Sequence, residues 1–184
     1  DTDGFVYDPF VEELWADLRY VKAGVICYSN VVRPKIVKPT LLDAFQGYAK
    51  GDKGGYAVQL YDATGIVTDA VVDTPTIVNP FCCGIYAAGT NGLRIIDPKI
   101  SGQSDRSGAT IPKAALALNG AVNCTVENPQ LSDNFCDIRF VGPVETVGAF
   151  RYPSDVNLRV TGGYAKNCTE DSVIINASPF YRDI

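Results

Sequence analysis

The sequence predicts an all-β chain wound as a short right-handed parallel β-helix of about five to six coils, with an amphipathic helix capping its first coil. Three observations predict it. A proline-centred strand pattern recurs four times along the chain. Each recurrence is preceded by a second short apolar run. Helical periodicity is confined to the first 23 residues, so the expected division is 1–23, carrying the helix, and 24–184, the β-helix.

The N-terminal segment reads as the one helix. Asp8 is a good N-cap, and Pro9 suits a first helical position, where its missing N–H would go unpaired anyway. Phe10, Leu14, Leu18 and Val21 follow at spacings of four, four and three, one apolar face on a 3.6-residue period. Glu12, Glu13, Asp17 and Arg19 lie largely on the other side, and Gly24 ends the pattern. A solenoid exposes strand edges and core at its ends, so a helix here is expected to cover the first coil.

Beyond Gly24, short runs rich in Val, Ile, Leu and Tyr alternate with Gly, Asn, Asp and Pro. Ile36–Leu41, Val72–Ile77, Ile95–Ile100 and Val126–Leu131 all read apolar-x-x-Pro-x-apolar, with their prolines 36, 23 and 31 residues apart. The last two copies also match Asp97 to Asn128 and Ser101 to Ser132. The preceding runs are Gly24–Cys27, Ala57–Leu60, Gly84–Ala87 and Ala115–Leu118. Degenerate units follow at Ile138–Val141 with Val156–Val160, and at Ser172–Asn176. Strands this short cannot bury an apolar face alone. Stacked on their counterparts one coil away they form parallel sheets, and their inward side chains share one core. Asn and Asp tolerate tight turns, while Pro fixes φ and cannot donate to a ladder, so these residues mark the bends. Residues 51–55 and 103–108 read as insertions at corners.

The phrases GIYAAGTNGLRIIDPKISG and ALNGAVNCTVENPQLSD resemble coils of the pectate-lyase-like superfamily of right-handed β-helices, over residues 24–178. Within it the chain is most similar in tone to bacteriophage tailspikes and virion-associated β-helices. That resemblance implies a structural or binding component of a virus particle: a decoration, fibre or tailspike-type module, in a virion or extracellular setting. Its implied partners are other virion proteins and copies of itself, with a trimer among the options. The alternative it implies is a polysaccharide-binding or depolymerising fragment, a lyase or glycoside hydrolase.

Chemistry in the chain weighs against the enzyme. With no His, imidazole–zinc sites and a Cys–His nucleophile pair are excluded, as is the His-dependent polygalacturonase pattern. No phosphate-binding glycine loop, nucleophile elbow or EF-hand loop is present. A stack of about 25 Å, at the roughly 4.8 Å strand spacing, is a short platform for a catalytic groove. No cofactor or metal is expected. The net charge of −5 argues against nucleic acid or an anionic membrane as partner. No apolar run is long enough to span a bilayer. The chain opens on Asp1 without Met or a leader pattern, which fits a processed chain or a piece of a longer one.

The densest polar cluster lies between the fourth and fifth units. Asp133, Asp137, Arg139 and Asp155 are the candidate carbohydrate-contacting residues, against the plainer reading of solvated corners and Asx-turns. No catalytic set is assigned. Cys27, Cys82, Cys83, Cys124, Cys136 and Cys168 admit two readings, as small buried hydrophobes or as disulfide or interface cysteines in an oxidising place. The vicinal pair 82–83 cannot form an ordinary disulfide without strain.

Overall fold

The computed structural model describes residues 4–28, 30–47, 49, 54–61, 67–104, 113–141, 157–170 and 172–176. Every named strand pairing is parallel, and the chain visits its sheets in cyclic order. Sheet A takes Val6–Tyr7, Val31–Val32, Val67–Thr68 and Thr90–Asn91. Sheet B takes Phe10–Glu12, Lys35–Val37, Val71–Asp73, Arg94–Ile96, Thr125–Glu127 and Arg159–Thr161. Sheet C takes Trp15–Asp17, Thr40–Leu42, Thr76–Val78, Lys99–Ser101, Gln130–Ser132 and Tyr164–Lys166. Sheet D takes Ala23–Tyr28, Tyr56–Tyr61, Cys83–Ala88, Ala114–Asn119, Ile138–Val141 and Val173–Asn176. These stacked parallel sheets are compatible with a parallel β-helix.

The register places like residues over like. Ile36, Val72, Ile95 and Val126 form one inward column of sheet B, and Leu41, Ile77, Ile100 and Leu131 one of sheet C. Val58, Ile85, Leu116 and Ile138 line sheet D. All twelve belong to one buried cluster. Each such side chain contributes about 1.5–3 kcal/mol on burial. A second cluster lies on the other side of sheet D, where Cys83, Tyr86, Ala88, Ala114 and Ala117 pack with Tyr56 and Tyr61. The middle strands of this sheet are therefore buried on both faces.

Corners repeat as strictly as strands. Between sheets B and C, Glu13, Lys38, Thr74, Asp97 and Asn128 all have φ between 47° and 52°. The prolines that follow stack in a column. Thr76 N–H donates to the Pro39 carbonyl, Lys99 to Pro75 and Gln130 to Pro98, each at 2.8 Å. Proline serves here because its carbonyl still accepts although it has no N–H to give. A β-sandwich would scatter these prolines.

The expected N-terminal helix is absent: residues 6–17 form three strands that open sheets A, B and C. The Asp8–Pro9 step is a corner, equivalent to Arg33–Pro34. Asp8 and Arg33 have φ of 53° and 54°, and Lys35 N–H donates to the Pro9 carbonyl. Pairing with the next coil satisfies these backbone groups, and that tertiary gain overrides local helical propensity. The apolar residues sort by strand alternation: Val11 and Ala16 stand over Ile36 and Leu41, whereas Phe10 is 56% exposed.

Candidate functional site

Among the described residues the stack of parallel strands has two ends, and the outermost strand at each end has no strand neighbour on its outer side. At one end the edge strands are Val6–Tyr7, Phe10–Glu12, Trp15–Asp17 and Ala23–Tyr28. At the other they are Arg159–Thr161, Tyr164–Lys166 and Val173–Asn176. Among the described residues, every exposed large hydrophobic lies at these ends. Val6, Tyr7, Phe10, Trp15, Tyr20, Val21 and Ile26 are at the first, and Val160, Tyr164 and Val173 at the second. Isolated exposed apolar residues are ordinary on a protein surface; confinement of all of them to the two open ends is not.

At the first end the core opens outward. A cavity of about 350 Å³ there is lined by Val6, Val11, Val25, Cys27, Val31 and Ile36, among others. The ends also share columns. Following the register through sheet C, Asp17 heads the column that finishes at Lys166, and Trp15 the one that finishes at Tyr164. In sheet B, Phe10 heads the column that ends at Arg159, and Val11 the one that ends at Val160. Acid thus opposes base, aromatic opposes aromatic, and apolar opposes apolar.

Of the sequence-predicted carbohydrate residues, the described Asp133, Asp137 and Arg139 differ in exposure. Asp133 sits at the exposed corner after sheet C, where its Oδ1 accepts from Asn167 Nδ2 at 2.9 Å. That bond, with one from Ser132, holds its carboxyl below the usual range. Asp137 is fully buried. It occupies the position just before Ile138, in line with Ala115 and Gly84, small residues on the core side of sheet D. Its Oδ1 accepts from Asn134 Nδ2 at 2.8 Å, while its Oδ2 has no hydrogen-bond partner. Arg139 stands in sheet D between Ala117 and Ile174, with its Nε buried and unpaired. Asp155 lies outside the described residues.

Sequence reasoning passed over the buried amides. Asn134 Oδ1 accepts the Gln103 N–H at 2.9 Å, and its Nδ2 donates to the Ile100 carbonyl at 3.3 Å as well as to Asp137. Gln103 Nε2 donates to the carbonyls of Cys82 and Ser104, both at 2.7 Å, and its Oε1 accepts the Cys136 N–H at 3.1 Å. This network ties three successive coils together where sheet C turns into sheet D. In composition these residues look like any corner amide, and no signal in the sequence marks them.

All six cysteines are free thiols, so no disulfide is found within the chain, and the buried-hydrophobe reading holds for five. Cys27, Cys82, Cys83, Cys124 and Cys136 are buried, Cys27 in the cavity at the first end. Burial raises the Cys27 and Cys83 thiols above their ordinary value and pushes Cys136 up to about 12. Cys168 is half-buried. Burial and the neighbouring Asp137 carboxylate raise it too. Burial likewise lifts the phenols of Tyr56 and Tyr86, whose rings lie 5.7 Å apart. Among the described residues no group of three or more Cys, Asp or Glu is placed to hold a metal ion. No family model matches the chain, and no curated protein or solved structure does.

Proposed function

We propose that the chain is a right-handed parallel β-helix of about five to six coils that works as a structural assembly module, with copies stacking end on end. The resemblance of its coils to virion-associated β-helices supports a virus particle or another extracellular structure as its setting. The observation that carries the reading is the confinement of exposed large hydrophobics to the two open ends. A second copy continuing the sheets in register brings Asp17 beside Lys166, Trp15 beside Tyr164 and Phe10 beside Arg159. It also covers Val11 with Val160. The contact is heterologous, so it propagates rather than closing into a pair.

Sedimentation velocity over a concentration series tests this. Species heavier than the 19.8 kDa monomer are expected to grow with concentration. Asp17→Lys weakens them and Lys166→Asp, added to it, restores them. A monomer at every concentration up to about 1 mM refutes end-on stacking. A second reading, a polysaccharide-binding module, draws on a polar cleft on the side of the stack.

A further inference from the structure

Three corners of the coil carry side-chain ladders that run along the stack. In each rung an Asn amide donates to the Asx oxygen one coil earlier. Asn128 donates to Asp97 at 3.2 Å, Asn157 to Asn123 at 2.8 Å, and Asn167 to Asp133 at 2.9 Å. At the corner after sheet C the ladder begins with Asn79 donating to Asp43 at 3.0 Å. The next coil then presents Gly102, which has no amide to give. The rung is missing, and Asn79 Oδ1 leans into the vacant place: a Cβ built on Gly102 would meet it at 2.2 Å.

Gly102 lines a cleft of about 360 Å³ at this corner. Arg19, Asp43, Gln46, Asn79 and Ser104 surround it, with Gly102 as its floor. Gln46 is held in place by donating to the Asn79 carbonyl at 2.7 Å. The Tyr20 ring packs on Gly47, next to Gln46, and is 70% exposed. The cleft presents amide, carboxylate and guanidinium groups, and the exposed Tyr20 follows the lining residue Arg19 in the chain; such a set suits a pyranose ring. The polar groups orient its diol and the aromatic ring covers its apolar C–H face. Charge narrows the class. Arg19 already lies 3.5 Å from Asp17 and 3.8 Å from Asp43, so the rim has one more acid than base and repels a uronate.

We infer that this cleft is a binding site for a neutral hexopyranose unit of a glycan. It is distinct from Asp133, Asp137, Arg139 and Asp155, rests on the polysaccharide-binding reading above, and borders the first end of the stack, where Asp17 and Tyr20 lie. Saturation-transfer NMR tests it, using glucose, galactose, mannose and galacturonate each at about 10 mM, a concentration suited to millimolar affinity. Transfer to at least one neutral hexose, exceeding that to galacturonate, is the expected result. Gly102→Asn supplies the missing rung; Asn accepts the φ of +72° at this position. It is expected to cut the transfer about tenfold or more in a folded protein whose melting temperature falls by a few degrees, because Asn79 Oδ1 must turn away from the new Cβ. Tyr20→Ala, an exposed change, is expected to reduce it several-fold. No transfer to any of the three neutral hexoses, stronger transfer to galacturonate, or full transfer in a folded Gly102→Asn variant each overturns the site.

Discussion

Replacing Asn134 by Ala removes three hydrogen bonds from a place water does not reach. Asn134 is fully buried, as is Asp137, and Gln103 is 2% exposed. The substitution strands the Gln103 N–H and the Asp137 Oδ1, and takes one donor from the Ile100 carbonyl. Asp137 already has one oxygen without a partner, so its whole carboxyl would then be unsatisfied. A buried polar group left unpaired costs about 1–3 kcal/mol, and more when charged. Three coupled losses do not add in full, because a water admitted to the vacated space restores part of them. The expected cost is about 3–5 kcal/mol, or roughly a 10 °C fall in melting temperature for a chain of this size. Urea denaturation followed by circular dichroism measures it. Asn123→Gly is the control, since it also breaks amide–amide bonds, at 3.1 and 2.8 Å, but on the exposed ladder, and Gly accepts the φ of 54° at this position. It should cost under about 1 kcal/mol. Equal losses for the two variants, or less than about 1 kcal/mol for Asn134→Ala, would refute the claim that burial makes this network dominant over the visible ladders.

Other predictions follow from the same geometry. Gly84→Ala should destabilise by about 1–3 kcal/mol through overpacking, because its new Cβ would meet the Ala115 carbonyl oxygen at 2.7 Å and Ile100 Cγ2 at 2.8 Å; an unchanged urea midpoint counts against the close approach. Thiol titration of the native protein should modify Cys168 first and the five buried cysteines only as the chain unfolds. Modification of all six at one rate, or fewer than six thiols after unfolding, contradicts the burial described. The Arg33 hydrogen bond lowers the Asp8 carboxyl from 3.8, and the Asn167 bond does the same for Asp133. A folded pKa below the unfolded one stabilises above the unfolded value and loses that contribution as pH falls through the folded one. Acid unfolding should therefore steepen below about pH 4, and Asp133→Asn should flatten it slightly. A curve identical to wild type removes Asp133 from the account.

Much of the fold was legible because the repeat is written in residue chemistry. Prolines at 39, 75, 98 and 129 mark one corner in sequence and stack at one corner in space. Asp97 with Asn128, and Ser101 with Ser132, pair as their alignment implied. The first coil escaped notice because Phe10, Leu14, Leu18 and Val21 satisfy a helical period by coincidence. Offset by 25 residues, Asp8–Pro9 matches Arg33–Pro34 just as well, but that recurrence carries weight only once a partner strand is in place. Asp133 and Asp137 illustrate the same limit at the site. Four residues apart and chemically alike, one is an exposed rung and the other lies in the core, because a corner rotates the chain between them.

The strand class, the stacking units, the corner residues and the exclusion of histidine chemistry were legible in the chain, since these rest on local rules of period, turn geometry and side-chain inventory. Packing alone made residues 6–17 strands, buried five cysteine thiols, let Asn134 and Gln103 bind three coils together, and set Gly102 in the ladder after sheet C. Each of these depends on what the neighbouring coil places opposite a residue, and the irregular spacing of the repeat leaves that to be settled by packing.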